Sequence, residues 1–232
     1  NTVKSAKITI CGLGFYELYI NGGRITKGHL APYISNPDDI LYYDEYEINS
    51  LLSNGKNAIG IMLGNGMLNG IGGTVWQMEQ AVYRSAPKVA LSLEITYENG
   101  ETDVITADES FKTHPSAILF DDLRCGEIYD ANKEIDGWNL PDFDDRDWKN
   151  CILAETPRGE TKICTAEPIV CLKELNPVSI TPNKKVVFSE WIHPYLKNAV
   201  VPMSDEEKRG WIYDFGENLA GIFTLKIKGE KG

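Results

Sequence analysis

Residues 15–22 read Phe-Tyr-Glu-Leu-Tyr-Ile-Asn-Gly, and this stretch decides the fold class. Within the alternating residues 7–25, every second side chain from Tyr16 to Ile20 falls on the same side, which predicts a β-strand with one buried face. The strand ends at Asn21-Gly22. An Asn-Gly pair suits a type I′ turn, because both central residues of that turn need positive φ. The stretch therefore predicts a β-hairpin.

A second hairpin signal lies further along the chain. Residues 88–97 alternate with their apolar side chains on one face, residues 98–100 read Glu-Asn-Gly and predict a turn, and residues 101–106 predict the returning strand. Residues 116–123 predict another short strand. Short strands separated by frequent turns, without a sustained helical period, predict an all-β protein built as a β-sandwich.

A change in composition near residue 157 predicts a domain boundary. Residues 1–156 are expected to form one N-terminal β-sandwich domain. Residues 157–167 are polar and lack periodicity, which is typical of a linker. Residues 168–232 carry further strand signals, at 169–172, 186–192, 211–214 and 222–228, and predict a second β-sandwich domain. Because roughly 65 residues are few for a complete sandwich of about 100, we expect this second domain to be partial and truncated.

Composition limits the classes of partner. The chain has 232 residues, and 23 Lys and Arg against 34 Asp and Glu give a net charge of −11. A chain this acidic, without a basic cluster, lacks the positive face that binds phosphates, so nucleic acid is not expected as a partner. No apolar run reaches membrane-spanning length, so a membrane is not expected either.

Cysteine and histidine spacing argues against two kinds of structural site. The five cysteines are an odd number at irregular spacing, which excludes a complete disulfide framework and indicates buried free thiols. The three histidines lie far apart and no Cys-x-x-Cys pair occurs, so a zinc site is not expected. No cellular compartment follows from these counts.

The densest chemistry lies in residues 126–138, which read Gly-Glu-Ile-Tyr-Asp-Ala-Asn-Lys-Glu-Ile-Asp-Gly-Trp. Carboxylates beside an aromatic ring suit a sugar, since they accept hydroxyl hydrogen bonds while the ring packs on C–H faces. A glycine-rich loop at residues 64–73 lets backbone approach a ligand closely. The candidate sugar contacts are Glu127, Tyr129, Asp130, Asn65 and Trp76. The same residues fit a structural interpretation equally well, because acids near glycines usually form turns and a loop rich in glycine turns tightly.

A series of short motifs over nearly the whole chain resembles the N-terminal β-sandwich region of bacterial α-L-rhamnosidases, which are glycoside hydrolases. They occur in the family's order: Gly14–Gly22, Leu30–Pro32, Gly55–Gly60, Leu63–Gly66, Gly126–Ala131, Gly137-Trp138, Phe143–Asp145 with Trp148, and Tyr213–Gly221. The sequence departs from the family pattern at Met67, where a tryptophan is frequent, at Asn132, where an arginine is common, and over residues 33–39.

The resemblance implies a jelly-roll-like β-sandwich followed by the start of a second β-sandwich domain. In the family both support an (α/α)6 barrel that carries the catalytic acids of an inverting glycoside hydrolase. This chain has almost no long amphipathic segment, so the barrel is absent and the fragment by itself is expected to be inactive. Some family members bind rhamnose through such an N-terminal domain with calcium. Oxygen ligands could come from Asn36, Asp38 and Asp39, although acids after Asn-Pro more often form turns.

Three functions remain open at this point. The first is a non-catalytic accessory region that packs against and supports the catalytic barrel of an enzyme hydrolysing terminal α-L-rhamnosyl residues. The second is a carbohydrate-binding module that recognises L-rhamnose, with calcium as a possible cofactor. The third is a self-contained hydrolase with Glu127 and Asp130 as its acid pair, but residues three apart on an extended strand point to opposite faces. The expected partners are therefore a rhamnose-containing glycoside and the barrel of the parent chain.

Overall fold

The computed structural model describes residues 1–71, 80–183, 210–226 and 228 of the chain. The chain divides into two compact units, residues 1–169 and 170–232. The predicted strand at residues 186–192 lies outside the described residues.

The described residues form short β-strands joined by turns, with 3-10 helical turns at Asn49–Leu51 and Ala131–Lys133. The strands are β1 (Val3–Leu13), β2 (Phe15–Ile20), β3 (Gly23–Arg24), β4 (Ile40–Glu47), β5 (Ile59–Gly64), β6 (Lys88–Tyr97), β7 (Thr102–Thr106), β8 (Lys112–Thr113), β9 (Ile118–Asp122), β10 (Gly126–Tyr129), β11 (Lys149–Asn150), β12 (Glu160–Ile163), β13 (Ser179–Asn183) and β14 (Gly210–Asp214).

The larger sheet of the first unit has five strands in the order β12-β4-β1-β6-β7. Its central strand β1 pairs antiparallel with β4 and along its whole length with β6. The hairpin predicted for residues 88–106 is confirmed as the antiparallel pair β6–β7. Inward-facing β1 residues such as Ile8 lie opposite Tyr46 on one side and Leu93 on the other.

The smaller sheet has three strands in the order β3-β2-β5. The hairpin predicted from the Asn-Gly pair is confirmed, since β2 and β3 pair antiparallel and the turn residues Asn21 and Gly22 have φ of 50° and 85°. The Asn21 side chain also accepts a hydrogen bond from the Ala58 N–H at 2.9 Å, which ties the turn to the start of β5.

The core lies between these two sheets. Ile8 and Ile10 of the larger sheet and Leu18 of the smaller one are 0% exposed. The remaining core residues come from β1, β2, β4, β6 and the turn after β4. Two sheets that bury their inner faces against each other are a β-sandwich. The predicted all-β sandwich class is confirmed, while the jelly-roll connectivity stays a prediction.

One polar network is buried in this core. The Tyr16 hydroxyl donates to Asp44 Oδ2 at 2.6 Å and lies 2.9 Å from the Tyr46 hydroxyl. Burial, followed by the hydrogen bond to Asp44, raises the pKa of Tyr16. The Asp44 carboxylate, 7% exposed, is thereby hydrogen-bonded rather than left unpartnered in an apolar core.

Two local expectations differ from the structure. Residues 160–163, within the segment that resembles a linker in composition, form β12, which pairs in parallel with β4. The strand was missed because its sequence, Glu-Thr-Lys-Ile, has no apolar alternation. The five cysteines are free, as predicted, but none is fully buried, since four are partly buried and Cys171 is exposed. The domain boundary at residues 157–167 stays a prediction.

The second unit contains one pair of strands among its described residues. Strands β13 and β14 pair antiparallel, and β14 matches the strand predicted at residues 211–214. Residues 222–226, predicted as strand, have no regular secondary structure, and residues 169–172 contribute only a single bridge between Ile169 and His29. Alternation of apolar residues wrongly predicted a strand over residues 222–226, because it reports side-chain pattern and not the presence of a pairing strand.

Candidate functional site

The stretch at residues 126–138 begins as the second strand of a hairpin. Strands β9 and β10 pair antiparallel, with Glu127 opposite Asp121 and Gly126 opposite Asp122. The connecting turn is fixed by Asp122, whose Oδ1 accepts hydrogen bonds from the N–H groups of Arg124 and Cys125, each at 2.8 Å. The hairpin is therefore held at its tip by a side chain of its own first strand.

Asp122 also fixes the glycine-rich loop. Its second carboxylate oxygen accepts a hydrogen bond from the Ile71 N–H at 2.6 Å, and the side chain is buried. Burial acts to raise the pKa of Asp122, but the hydrogen bonds from Ile71, Arg124 and Cys125 outweigh it and lower the pKa. The carboxylate is thus ionised and fully engaged by backbone at neutral pH.

Asn65 is engaged by the neighbouring acid, Asp121. The Asn65 N–H donates to Asp121 Oδ1 at 2.8 Å, and its side-chain amide donates to the backbone carbonyl and to Oδ2 of the same residue, each at 3.0 Å. Its amide oxygen accepts a hydrogen bond from Asn69 at 2.7 Å. The hydrogen-bonding groups of Asn65 are therefore used to close the loop onto β9.

The other predicted contacts lie on or just after β10. Glu127 is exposed on the strand, and the Tyr129 hydroxyl donates to Glu134 Oε1. That hydrogen bond is the main reason that the pKa of Tyr129 is raised. Asp130 caps the 3-10 turn that follows, because its Oδ1 accepts from the N–H of Asn132 at 3.1 Å and from its side-chain amide at 3.0 Å. Trp76 lies outside the described residues.

The structure thus brings two of the predicted residues to one place. Asn65 bonds to Asp121, and Glu127 is the strand partner of Asp121, so both adjoin the same side chain. Tyr129 and Asp130 instead make contacts within their own segment. That these residues contact a sugar stays a prediction. Asp121 and Asp122 were missed, although two consecutive acids between a strand and a turn are a usable signal for backbone capping.

The end of the stretch packs on the outer face of the smaller sheet. The Trp138 ring meets Tyr19 edge to face with centroids 5.3 Å apart. It also covers Gly60, where an added Cβ would lie 2.8 Å from the Trp138 ring. Tyr19 and Gly60 are partners in the β2–β5 register, so the indole lies across both strands. Close approach explains the glycine, since any side chain there would displace the indole.

A cavity of about 40 Å³ lies beside Phe15, Pro32 and Met67. Pockets for small molecules measure about 300–1,000 Å³, so this cavity is too small for a monosaccharide. It lies where Met67 replaces the tryptophan frequent in the family pattern.

The described residues contain no cluster of acidic, histidine or cysteine side chains for the calcium ion that the resemblance suggests. In that part of the chain no three His, Cys, Asp or Glu side chains lie close enough together to hold a metal ion. Asn36 Oδ1 accepts the Asp38 N–H at 3.1 Å, and the Asn36 amide donates to Asp39 at 2.9 Å. These residues fit the turn interpretation rather than a Ca²⁺ site.

Comparison with known proteins identifies the region. The family model of the α-L-rhamnosidase N-terminal domain matches residues 1–173. The chain belongs to this family. The match confirms the family predicted from the motifs, and it covers all of the strands of the first unit, β1 to β12.

Two curated relatives of this rhamnosidase N-terminal domain are α-L-rhamnosidases. The one from Formosa agariphila is 31% identical over 99% of this chain and 22% of its own length. The one from Streptomyces avermitilis is 28% identical over 99% of this chain and 20% of its own length. The chain therefore spans about a fifth of the length of these relatives.

Solved structures agree with this assignment. The α-L-rhamnosidase from Dictyoglumus thermophilum superposes with a TM-score of 0.71 and 39% identity, over 78% of this chain and 19% of that one. The Streptomyces avermitilis α-L-rhamnosidase complexed with L-rhamnose superposes with a TM-score of 0.67 and 28% identity, over 78% of this chain and 17% of that one. None of these matches supports carbohydrate binding by the rhamnosidase N-terminal domain itself. No helix in its described parts has the length and apolar character of a membrane span.

Proposed function

We propose that the chain is the non-catalytic N-terminal accessory region of an α-L-rhamnosidase that hydrolyses terminal α-L-rhamnosyl residues in glycosides. One observation carries the proposal: the family match extends over residues 1–173, whereas the chain spans about a fifth of each relative. In this proposal the region packs against and supports a catalytic barrel in the same parent polypeptide.

The geometry supports a non-catalytic role. Inverting glycosidases hold a sugar and a water between two carboxyl groups about 6.5–9.5 Å apart. Asp130, one member of the candidate acid pair, instead caps a 3-10 turn. Neither Glu127 nor Asp130 lines the cavity beside Phe15, Pro32 and Met67.

The proposal includes the order of domains. Residues 168–232 would begin the second β-sandwich domain of the parent protein. The antiparallel pairing of β13 with β14 supports this part, because the segment then contains paired β-strands. The relatives support it too, because they match 99% of the chain and so continue through this segment.

The test is a comparison of hydrolysis by the parent protein and by the 232-residue chain with a chromogenic α-L-rhamnoside. We expect turnover by the parent and none by the chain. The matched variant is Glu127→Gln, which should leave the parent's kcat unchanged because in this proposal Glu127 takes no part in the reaction. Turnover by the chain that disappears in Glu127→Gln would instead establish a self-contained hydrolase.

A further inference from the structure

The chain contains five Asn-Gly pairs, and the structure places them in different surroundings. They begin at Asn21, Asn54, Asn65, Asn69 and Asn99, and all of them lie within the described residues. An Asn-Gly pair is chemically reactive, because glycine has no side chain to hinder attack by its backbone nitrogen on the preceding side-chain amide. Since the dipeptide is the same in all five cases, the surroundings decide which pair reacts in the folded chain.

Three of the five pairs are held by hydrogen bonds of the asparagine side chain. Asn21 Oδ1 accepts the Ala58 N–H at 2.9 Å, and the Asn21 amide donates to the Leu51 carbonyl at 3.0 Å. The Asn69 amide donates to Asn65 Oδ1 at 2.7 Å, and the glycines that follow these two asparagines are buried. Hydrogen bonds thus hold all three side chains, and in the last two pairs burial also restricts the access of water.

Asn99 is exposed, but hydrogen bonds close its turn. Asn99 Oδ1 accepts the Glu101 N–H at 3.0 Å, and the Asn99 amide donates to Glu101 Oε2 at 2.7 Å. The Gly100 N–H donates to the Tyr97 carbonyl at 3.0 Å. The side-chain amide and the N–H that follows it are therefore both engaged, and hydrogen bonds must break before the Gly100 nitrogen can approach the amide carbon.

Asn54 differs from the other four asparagines. In the part of the chain that the structure describes, neither the Asn54 side chain nor the Gly55 N–H makes a hydrogen bond. Both residues are exposed, and a Cβ built on Gly55, whose φ is 96°, would meet no atom within 4 Å. This open space leaves room for the side chain to fold back onto the glycine nitrogen and for water to reach the product.

The loop around this pair is fixed at its base by Asn57. Asn57 Oδ1 accepts the Ser53 N–H at 2.8 Å, and the Asn57 amide donates to the Ser53 carbonyl at 2.9 Å and to the Gly55 carbonyl at 3.2 Å. The Gly55 carbonyl takes no part in attack by the Gly55 nitrogen, so these hydrogen bonds leave the reacting atoms free. Asn54 therefore lies at the tip of an exposed bend, and such loop tips tolerate change well.

We propose that Asn54 is the site at which the folded chain undergoes spontaneous deamidation, with water as the co-reactant. The Gly55 nitrogen forms a bond to Asn54 Cγ, the Cγ–Nδ2 bond breaks, and ammonia leaves with the proton of the Gly55 N–H. Water then opens the resulting succinimide ring at one of its two carbonyls, which gives aspartate or isoaspartate without any change of oxidation state. The product carries one negative charge more than the net charge of −11.

Incubation of the folded 232-residue chain in water enriched in heavy oxygen, followed by peptide mass spectrometry, tests the proposal. Ring opening incorporates one oxygen atom from the solvent, so the label marks each asparagine that has reacted. We expect the label at Asn54 to appear at least about tenfold faster than at Asn99, the exposed control, because the hydrogen bonds of Asn99 must break first. Label that appears equally at both, first at another pair, or at none overturns the proposal.

Two variants and an unfolded sample separate the effect of the fold from that of the sequence. Asn54→Ser should abolish the acidic form that ion-exchange chromatography resolves, and Asn99→Ser should leave its rate of appearance unchanged. In urea the five pairs should take up the label at similar rates, because the hydrogen bonds that distinguish them are lost. An acidic form that persists in Asn54→Ser, or an equally large lead of Asn54 in urea, overturns the proposal.

Discussion

Asp122 illustrates, for a single residue, how an acidic side chain of this region stabilises the backbone around it. Its two carboxylate oxygens accept hydrogen bonds from three backbone N–H groups, in the β9–β10 turn and at the end of the glycine-rich loop. Asp122 is therefore the internal cap of two loops. The net charge of −11 therefore includes groups that act on structure.

Asp122→Asn should destabilise the chain by about 1–3 kcal/mol, because in either orientation the amide NH₂ faces a backbone donor and leaves it unsatisfied. Urea unfolding followed by tryptophan fluorescence measures the change. The matched control is Asp108→Asn, since Asp108 Oδ1 also accepts an N–H, from Ser110 at 2.8 Å, but is exposed. The free energy of unfolding of the control variant should fall by less than about 0.5 kcal/mol. Equal losses in both variants would contradict the prediction.

The same substitution should change the pH dependence of stability. The hydrogen bonds lower the pKa of Asp122 below its unfolded value of about 3.9. Because the pKa of Asp122 is lower in the folded than in the unfolded state, the ionised carboxylate stabilises the fold at pH values above about 4. This contribution to the free energy of unfolding is lost as the pH falls through the native pKa. The difference in stability between wild type and Asp122→Asn should therefore shrink between about pH 4 and pH 2.

The residues of the candidate site could be named from sequence, but their partners could not. The capping role of Asp130 could be predicted from its position before Ala131 and Asn132, because the hydrogen bond from the Asn132 N–H is local in the sequence. The bond from Asn65 to Asp121 spans 56 positions and depends on how β5 and β9 approach each other. No local signal reports such a contact, so the partner of Asn65 could not be predicted from sequence.

Among the elements of the first unit, prediction succeeded where the signal was local. Both hairpins follow from alternation and an Asn-Gly turn, and the register then follows from the turn. Strand β12 pairs in parallel with β4, from a distant part of the chain, and its polar residues are exposed at every position. An exposed edge strand needs no apolar face, which is why composition alone resembles a linker.

The contact between Trp138 and β5 should be visible in a double-mutant cycle. Gly60→Ala should destabilise the chain by about 1–3 kcal/mol, since the new methyl group lies within 2.8 Å of the Trp138 ring and of Asn139 Cβ. In a Trp138→Ala background the ring clash is absent, so the same substitution should be at least about 0.5 kcal/mol less destabilising. Urea unfolding of the four proteins gives the coupling, and additive values would contradict the packing described here.

For the whole molecule, the division into two units predicts how the chain tolerates truncation. All ten residues of the core cluster lie between Ala6 and Leu93, within the first unit. A protein of residues 1–169 should therefore unfold cooperatively in urea and keep its β-sheet circular dichroism. The matched protein of residues 1–156 lacks β12 at the edge of the larger sheet. Its urea concentration at the midpoint of unfolding should be lower than that of residues 1–169. A chain of 1–169 without a cooperative transition would contradict the prediction.

The two edges of the larger sheet carry a consequence for the behaviour of the molecule in solution. Within the described residues, β7 and β12 each pair on one side only. Glu160 and Lys162 of β12 form an ion pair at 3.1 Å, and Asp103 of β7 accepts the Tyr97 hydroxyl at 2.8 Å. Charges on an open edge oppose pairing with a strand from another molecule. Charged side chains at these edges therefore oppose aggregation of this region, and surface substitutions that remove them should weaken that opposition while leaving the buried core intact.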